Sequence, residues 1–386
     1  MYQRRDDMNV DYHQDPYERV NAAPRPGSTR VPPQRRQAPP PQYRDSDPYD
    51  DYPYDAERRP RRRGRIRRVL VSLLVVLLLV AGGTYFWADS KLRKEVDLAK
   101  VVDRPEAGEG TNYLIVGSDS REGMSAQQRE DLHTGGSEGS GKRTDSMMIL
   151  HVGSNGPTLI SLPRDSNVTI PEFRGSESGK MQPAMGPNKL NAAYAYDGPQ
   201  LLVRTVEYNT GLHIDHYAEI GFTGFANIVD AMGGVEMNID KGFTDKWSGA
   251  DFQAGTQTLD GAQALAYVRT RHAFTGSDLD RTKNQQKFLA TLANQAASPG
   301  TLLNPLKLYP VMSAGLDTMI VDKDMNPYEL AVMFLAMKDV NSGEGKSMNM
   351  PISGSVGGNL AWDKAKVEQL VEQLKADRTV TVTSDS

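Results

Sequence analysis

The chain has no cysteine among its 386 residues. Disulfides, thiolate nucleophiles and cysteine-ligated metals are excluded together, although the compartment stays open. There is no Walker A loop and no H-E-x-x-H, and no histidine spacing suited to zinc. Lysine is missing from residues 1–68, which carry 16 arginines against 11 acids. The rest of the chain has a net charge of −9, so a basic nucleic-acid-binding domain is excluded in practice.

What is present first is a tail. Its first sixty residues contain 11 of the 23 prolines and 7 of the 16 tyrosines, with almost no aliphatic runs. Such a segment cannot bury enough apolar surface to offset ordering entropy, which predicts disorder. Eight arginines between Arg58 and Arg68 then precede Val69–Trp87, a run without a charge. At 1.5 Å per residue this run spans about 28 Å, close to the hydrocarbon thickness of a bilayer. The arginine block predicts a cytoplasmic N-terminus, and Tyr85, Phe86 and Trp87 stand where an outer aromatic belt belongs. A cleaved signal peptide fits poorly, because the run is long, starts late and lacks an A-x-A-like exit. The expected layout is a cytoplasmic tail over 1–68, a transmembrane helix over 69–88, a charged stalk over 89–110 and an outer domain over 111–386.

In that outer part, Asn112–Val116, Met147–Val152 and Thr158–Leu162 read as strands. The last two are joined by Ser-Asn-Gly-Pro, a hairpin signal. Arg121–Lys142 is glycine-rich and reads as a surface loop. Helical spacing predicts Lys189–Tyr196, Gln200–Asn209, Phe222–Met232, Gly261–Val268 and Leu279–Ala297, with further helices near Pro305–Leu316, Pro327–Val340 and Asp363–Ala376. His216–Ile220 and Val235–Ile239 add strands. Strands alternating with helices imply an α/β class, a mixed central sheet flanked by helices on both faces.

Four segments carry charge that periodicity does not explain. GSDSR (Gly117–Arg121) ends a strand, Arg143 and Asp145 lead into one, and Arg164 and Asp165 follow one. The fourth, YVRTRHAFTGSDLDRTKNQQKFL, starts at Tyr267 and crowds Arg269, Arg271, His272 and Arg281 together before an apolar helix. Any one Asp–Arg pair is ordinarily a solvated salt bridge. Recurrence at three strand ends, where open α/β sheets place ligands, argues for a site. The planar fork of arginine matches phosphate in a bidentate fashion. If the backbone extends after Val268, Arg269 and Arg271 point the same way. Arg281 and Gln285 share a helix face with Phe288 and Leu292, beside a positive helix N-terminus. A diphosphate next to an apolar pocket satisfies all of this. Asp119 and Asp145 could share a hard divalent cation, or each could pair with the arginine near it, and spacing leaves both open.

With these segments in hand, the chain resembles the LytR-CpsA-Psr family, bacterial enzymes that attach glycopolymers to peptidoglycan. The resemblance rests on GSDSR, RTDSMMILHV, LISLPRDSNVTIP, KLNAAYAYDGP, DHYAEIGFTGFANIVDAMGGVEMNI, LDGAQALAYVRTRH and DRTKNQQKFL, which run in order over residues 113–297. It implies a membrane-anchored phosphotransferase acting on a polyprenyl-diphosphate-linked glycopolymer with peptidoglycan as acceptor, and releasing polyprenyl phosphate. It implies Asp119 and Asp145 as ligands of Mg²⁺ (or Mn²⁺). Arg121, Arg143, Arg164, Arg269, Arg271 and Arg281 become the diphosphate clamp, joined by Gln285, Lys189 and Asn191. Arg164, Arg269, Arg271 and Arg281 are the catalytic candidates, with Asp165 as general base.

Departures are Asp280 and Asn284, where D-x-G-R-x-x-R-Q-Q has glycine and arginine, and Asp197, where Y-A-Y-G-G-P has glycine. Relatives from actinobacteria also carry cysteines near the positions of Asn238 and Thr256, absent here. Nothing in the sequence reads the polymer's sugars. The proline-rich arm and motif wording favour an actinobacterial source, hence arabinogalactan or a capsular-type chain. Competing readings are a polyprenyl-diphosphate hydrolase using the same site, and a non-catalytic envelope sensor or scaffold.

Overall fold

A short alternation of side chains in the middle of the chain decides how the molecule layers. In the computed structural model, which describes residues 62–119, 124–134, 144–270 and 278–384, strand β2 (Thr111–Ser118) sends Tyr113 to one face and Leu114 and Val116 to the other. Side chains of residues 62–63, 145, 278–286 and 341 also lie outside the description. Strand β3 (Thr144–Val152) does the same, with Met147 and Ile149 on one side and Met148 and Leu150 on the other. Period-two side chains buried on both faces require a cover on each.

The sheet has seven strands. Besides β2 and β3 they are β1 (Arg93–Val96), β4 (Thr158–Leu162), β5 (His216–Gly221), β6 (Met319–Asp322) and β7 (Lys346–Asn349), in the order β1-β6-β5-β2-β3-β4-β7. Pairing is mixed: β1–β6, β5–β2 and β4–β7 are parallel, the rest antiparallel. Helix α1 (Arg62–Lys91) leads directly into β1. One face is covered by α2 (Leu190–Thr210) and α8 (Lys364–Lys375). The other is covered by α5 (Asp278–Ala296), α6 (Pro305–Thr318) and α7 (Pro327–Ser342), with Ala88 and Leu92 at the end of α1. A third cluster lies under α3 (Phe222–Ala231), α4 (Gly261–Arg269) and the hairpin of Val235–Ile239 with Gly255–Leu259.

Two expectations change. The segment 89–110, read as a stalk, is built into the domain: Arg93–Val96 pairs with β6, and Leu92, Val96, Leu98 and Val101 are buried. Arg104 in the same segment makes a two-nitrogen contact with the buried Glu207, 2.6 Å at its shortest. Charge disguised it, because an edge strand exposes one side and four residues give no periodicity. Within Arg121–Lys142, read as a loop, Ala126–Asp131 is helical, with a reciprocal capping box between Ser125 and Gln128 and with Met124 buried beneath it. The tail over 1–61 lies outside the described residues, and residues from 63 onward form one compact unit.

Candidate active site

The register of the sheet places the charged strand ends on one edge. Arg93 is level with Ile320, Ile320 with Glu219, Glu219 with Val116, Val116 with Met147, and Met147 with Leu162. Beyond that row β2 runs out through Ser118 to Asp119, β5 ends at Gly221, β3 starts at Thr144, and β4 exits into Pro163, Arg164 and Asp165. Because β1 runs opposite to β2, its first residue stands at this same end. The end of the sheet that gathers Asp119, Arg164 and Asp165 is therefore the end at which α1 meets the sheet.

Local chemistry holds the Arg164 loop in place. The carbonyls of Arg164 and Ser166 accept from the amides of Asn191 and Leu190, satisfying the first donors of α2, whose preceding residue Lys189 gives no side-chain cap. Lys189 Nζ reaches Asp165 Oδ1 at 2.7 Å, while Arg164 Nε is 3.5 Å from Asp165 Oδ2. Trp362 Nε1 donates to Ser166 Oγ at 2.9 Å and closes the loop from behind. Four predicted residues, Arg164, Asp165, Lys189 and Asn191, are thus brought together.

Arg269 is the last residue of α4, so the helix continues one residue beyond the expected extension point. Its guanidinium lies over Phe222, 4.8 Å from the ring centre, and Nη1 donates to the carbonyls of Leu132 and His133 at 3.2 Å each. Thr270 behind it is buried, bonded to Ala266 and Ser248. Asp119 is half-buried at the end of β2. The backbone of Asp145 lies in β3, opposite the end of β2, and its side chain is outside the described residues. Arg121, Arg143, Arg271 and His272 lie outside the described residues, as do the side chains of Arg281, Gln285, Asp280 and Asn284 in α5.

Sequence reasoning passed over three side chains at this end. Ser118 Oγ and Thr223 Oγ1 are buried with no hydrogen-bond partner among the described residues. Glu219 is 2 % exposed, yet its carboxylate accepts from Tyr194 and Tyr217, each at 2.7 Å. Burial, followed by the charge of Glu219, pushes the Tyr217 phenol well above its usual range. Tyr194 and Glu219 form part of a cleft of about 780 Å³ that also takes in Glu95, Phe173, Tyr196 and Asp197. No signal in the sequence marks Glu219, since a single acid within a short strand reads as an outward-facing position. Asp197 also explains its own departure from the family pattern. It sits at φ −152°, open to any residue, and its carboxylate accepts from Ser176 N and Oγ at 2.9 and 2.7 Å.

The LytR_cpsA_psr family model matches residues 85–376. A probable cell wall biosynthesis protein, LcpB, of Corynebacterium glutamicum is 43% identical over 317 residues, covering 81% of this chain and 71% of the relative. A polyisoprenyl-teichoic acid–peptidoglycan teichoic acid transferase, TagU, of Oceanobacillus iheyensis is 29% identical over 278 residues, 66% of this chain and 76% of the relative. Among solved structures, a LytR-Csp2A-Psr enzyme from Actinomyces oris superposes with a TM-score of 0.54 at 19% identity, over 74% of this chain and 96% of that one, which shows a shared fold. The mixed sheet between two helical layers, the charged segments at one of its ends and a match running through most of the described domain agree: the chain belongs to the LytR-CpsA-Psr family.

Proposed function

We propose that this protein transfers a glycopolymer from a polyprenyl-diphosphate carrier to a peptidoglycan hydroxyl and releases polyprenyl phosphate. The observation that carries the reading is the shared end of the sheet: the arginine- and aspartate-bearing strand ends face the side at which the apolar helix α1 enters. A carrier whose tail stays in a bilayer presents its diphosphate there. In this reading residues 1–68 are cytoplasmic, 69–88 span the membrane and the domain from Ser90 onward is outside. The names of the two relatives, a cell wall biosynthesis protein and a peptidoglycan teichoic acid transferase, support it.

Arg164, Arg269, Arg271 and Arg281 hold the diphosphate, with Arg121, Arg143, Lys189, Asn191 and Gln285 completing the clamp. The oxygen of the acceptor hydroxyl attacks the phosphorus nearest the glycan. The bond from that phosphorus to the bridging oxygen breaks, and polyprenyl phosphate departs with it. Asp165, held against Lys189, takes the hydroxyl proton. Phosphoryl transfer of this kind relies on positioning and charge neutralisation, which planar cations supply.

Magnesium fits the donors at this end. Asp145 lies in β3 and Asp119 directly follows β2, the strand paired with it, and the buried Ser118 Oγ next to Asp119 in the chain lacks a hydrogen-bond partner among the described residues. Mg²⁺ typically takes one or two carboxylates and completes its shell with water and phosphate oxygens. When bound it neutralises charge on the diphosphate.

The test is release of phosphate-bearing lipid from a polyprenyl-diphosphate glycan by the full chain, with peptidoglycan and Mg²⁺ present. Arg269→Ala and Asp145→Ala should each lower the rate by a factor of about 100 or more, the scale of losing one transition-state contact. Release that ignores peptidoglycan would identify a hydrolase. Binding without release would identify a sensor.

A further inference from the structure

The C-terminal third of the sequence shows helices without polar chemistry. Its most exposed apolar side chains gather at one place. Leu303 is 83%, Leu306 85% and Leu302 49% exposed, at the start of α6 and in the turn before it. From Ala296 through Leu316 the only charged residue is Lys307. Contiguous apolar exposure of this kind marks an interaction surface.

Helix α6 lies along α1. Asp317 near its C-terminus pairs with Lys91 at 3.0 Å, and Tyr309 meets Trp87, with ring centres 5.4 Å apart, and hydrogen-bonds Thr84. The two helices therefore run parallel, C-terminus beside C-terminus. From Lys91 to Thr84 is roughly 10 Å along α1, and from Asp317 to Tyr309 roughly 12 Å along α6, so the two keep level. One further turn along α6 brings Leu306 level with about Ala81, and the turn carrying Leu302 and Leu303 adjoins this end of α6. The level of Leu306 falls inside the uncharged run Val69–Trp87.

We propose that the start of α6, with Leu302, Leu303 and Leu306, is seated in the outer leaflet of the same membrane that α1 crosses, as a second, non-spanning contact of the domain with the bilayer. The chemistry of the patch suits this partner. Asn304 caps the helix by accepting from the amide of Leu306 at 3.1 Å, so a donor at the tip is satisfied internally. Lys307 has the length to bury its methylenes and carry its charge to the headgroups. Tyr309 and Trp87 form one aromatic group at the boundary. A single spanning helix leaves the domain free to swivel about its axis; a second contact fixes which side of the sheet faces the lipid.

The inference rests on the reading that α1 crosses the bilayer, and the absence of native cysteine makes both testable in one set of variants. Leu303→Cys, Leu306→Cys, Leu77→Cys and Tyr208→Cys are introduced singly into the full chain. Each is labelled with an environment-sensitive fluorophore and reconstituted in phosphatidylethanolamine–phosphatidylglycerol vesicles containing nitroxide lipids. Leu77 reports α1; Tyr208, exposed at the far end of α2, reports water. Blue-shifted emission at 303 and 306, with quenching several-fold stronger than at 208, is the expected result. If 77 is quenched while 303 and 306 behave like 208, the patch stays in water and the inference fails. If 77 is not quenched either, it is the spanning reading that fails, and the patch's seat with it. A blue shift at 303 without lipid quenching, lost on diluting the protein in lipid, would assign the patch to a second copy of the chain and overturn the proposal.

Discussion

Glu219 shows how much a single side chain can be asked to hold. Two tyrosine hydroxyls end on its carboxylate in a buried setting, and no lysine or arginine joins them among the described residues. Glu219→Ala leaves two buried donors unmet and opens a void, so it should cost about 3 kcal/mol of domain stability, whereas Glu219→Gln, keeping shape and an acceptor, should cost about 1 kcal/mol. Urea denaturation of the two variants checks the ratio. His216, at the opposite end of the same strand, sets a pH dependence. Burial alone would push its imidazole down, but Nδ1 donates to the buried Asp322 at 3.2 Å, and the charges of Asp322, Glu329 and Asp215 outweigh burial and leave it raised. A raised histidine contributes its stability in full below its unfolded value of about 6.5, and that contribution is lost as pH rises through the folded value. The deficit of His216→Gln against the parent should thus be largest near about pH 5.5 and shrink by about pH 8.5, measured by denaturation at both. Neither residue was legible in the sequence. Arg164 and Asp165 stood out because charge at a strand end has no packing reason, but one acid or one histidine within HYAEIG looks like an outward-facing position until its partners, distant in sequence, are known.

Elements were legible in proportion to their length. The expected helices over 305–316, 327–340 and 363–376 appear as α6, α7 and α8, because three turns or more repeat an apolar face often enough to be read. Four-residue strands cannot repeat anything, and β1, β6 and β7 at or near the sheet's edges went unread for that reason. The two helices expected over 189–196 and 200–209 form the single α2 broken at Asp197 and Gly198. Gly198 has φ +73° and ψ −156°, a region essentially closed to side chains, and Pro199 restarts the helix. Gly198→Ala should cost about 1–3 kcal/mol through the backbone, since its Cβ meets nothing within 4 Å. A thermal melt should show that loss. A melt unchanged from the parent would mean that the two halves of α2 can join without the break.

At the scale of the whole molecule the short distance between α1 and β1 matters most. Helix α1 ends at Lys91 and the sheet begins at Arg93, so no free linker separates the apolar helix from the domain. Lys91 to Asp317 and Lys94 to Asp89 tie the junction, and Leu92 is buried within it. The strand ends bearing Asp119 and Arg164 are thereby held at a fixed height above the run Val69–Trp87, which is the height a membrane-bound diphosphate requires under the proposed reading. A flexible glycine–serine segment inserted between Lys91 and Leu92 would release that height while leaving the arginines unchanged. A short water-soluble diphosphate analogue diffuses to the site wherever the domain stands, so its turnover should stay within about twofold of the parent. A full-length carrier in vesicles loses the advantage of being presented in register, and its turnover should fall by about tenfold or more, as positioning contributes a large part of such a barrier. Loss of both activities would mean that the insertion damaged the sheet through β1. Equal activity on both substrates would mean that the carrier's head reaches the site without the anchor's help, and the alignment of helix and sheet would then serve folding alone.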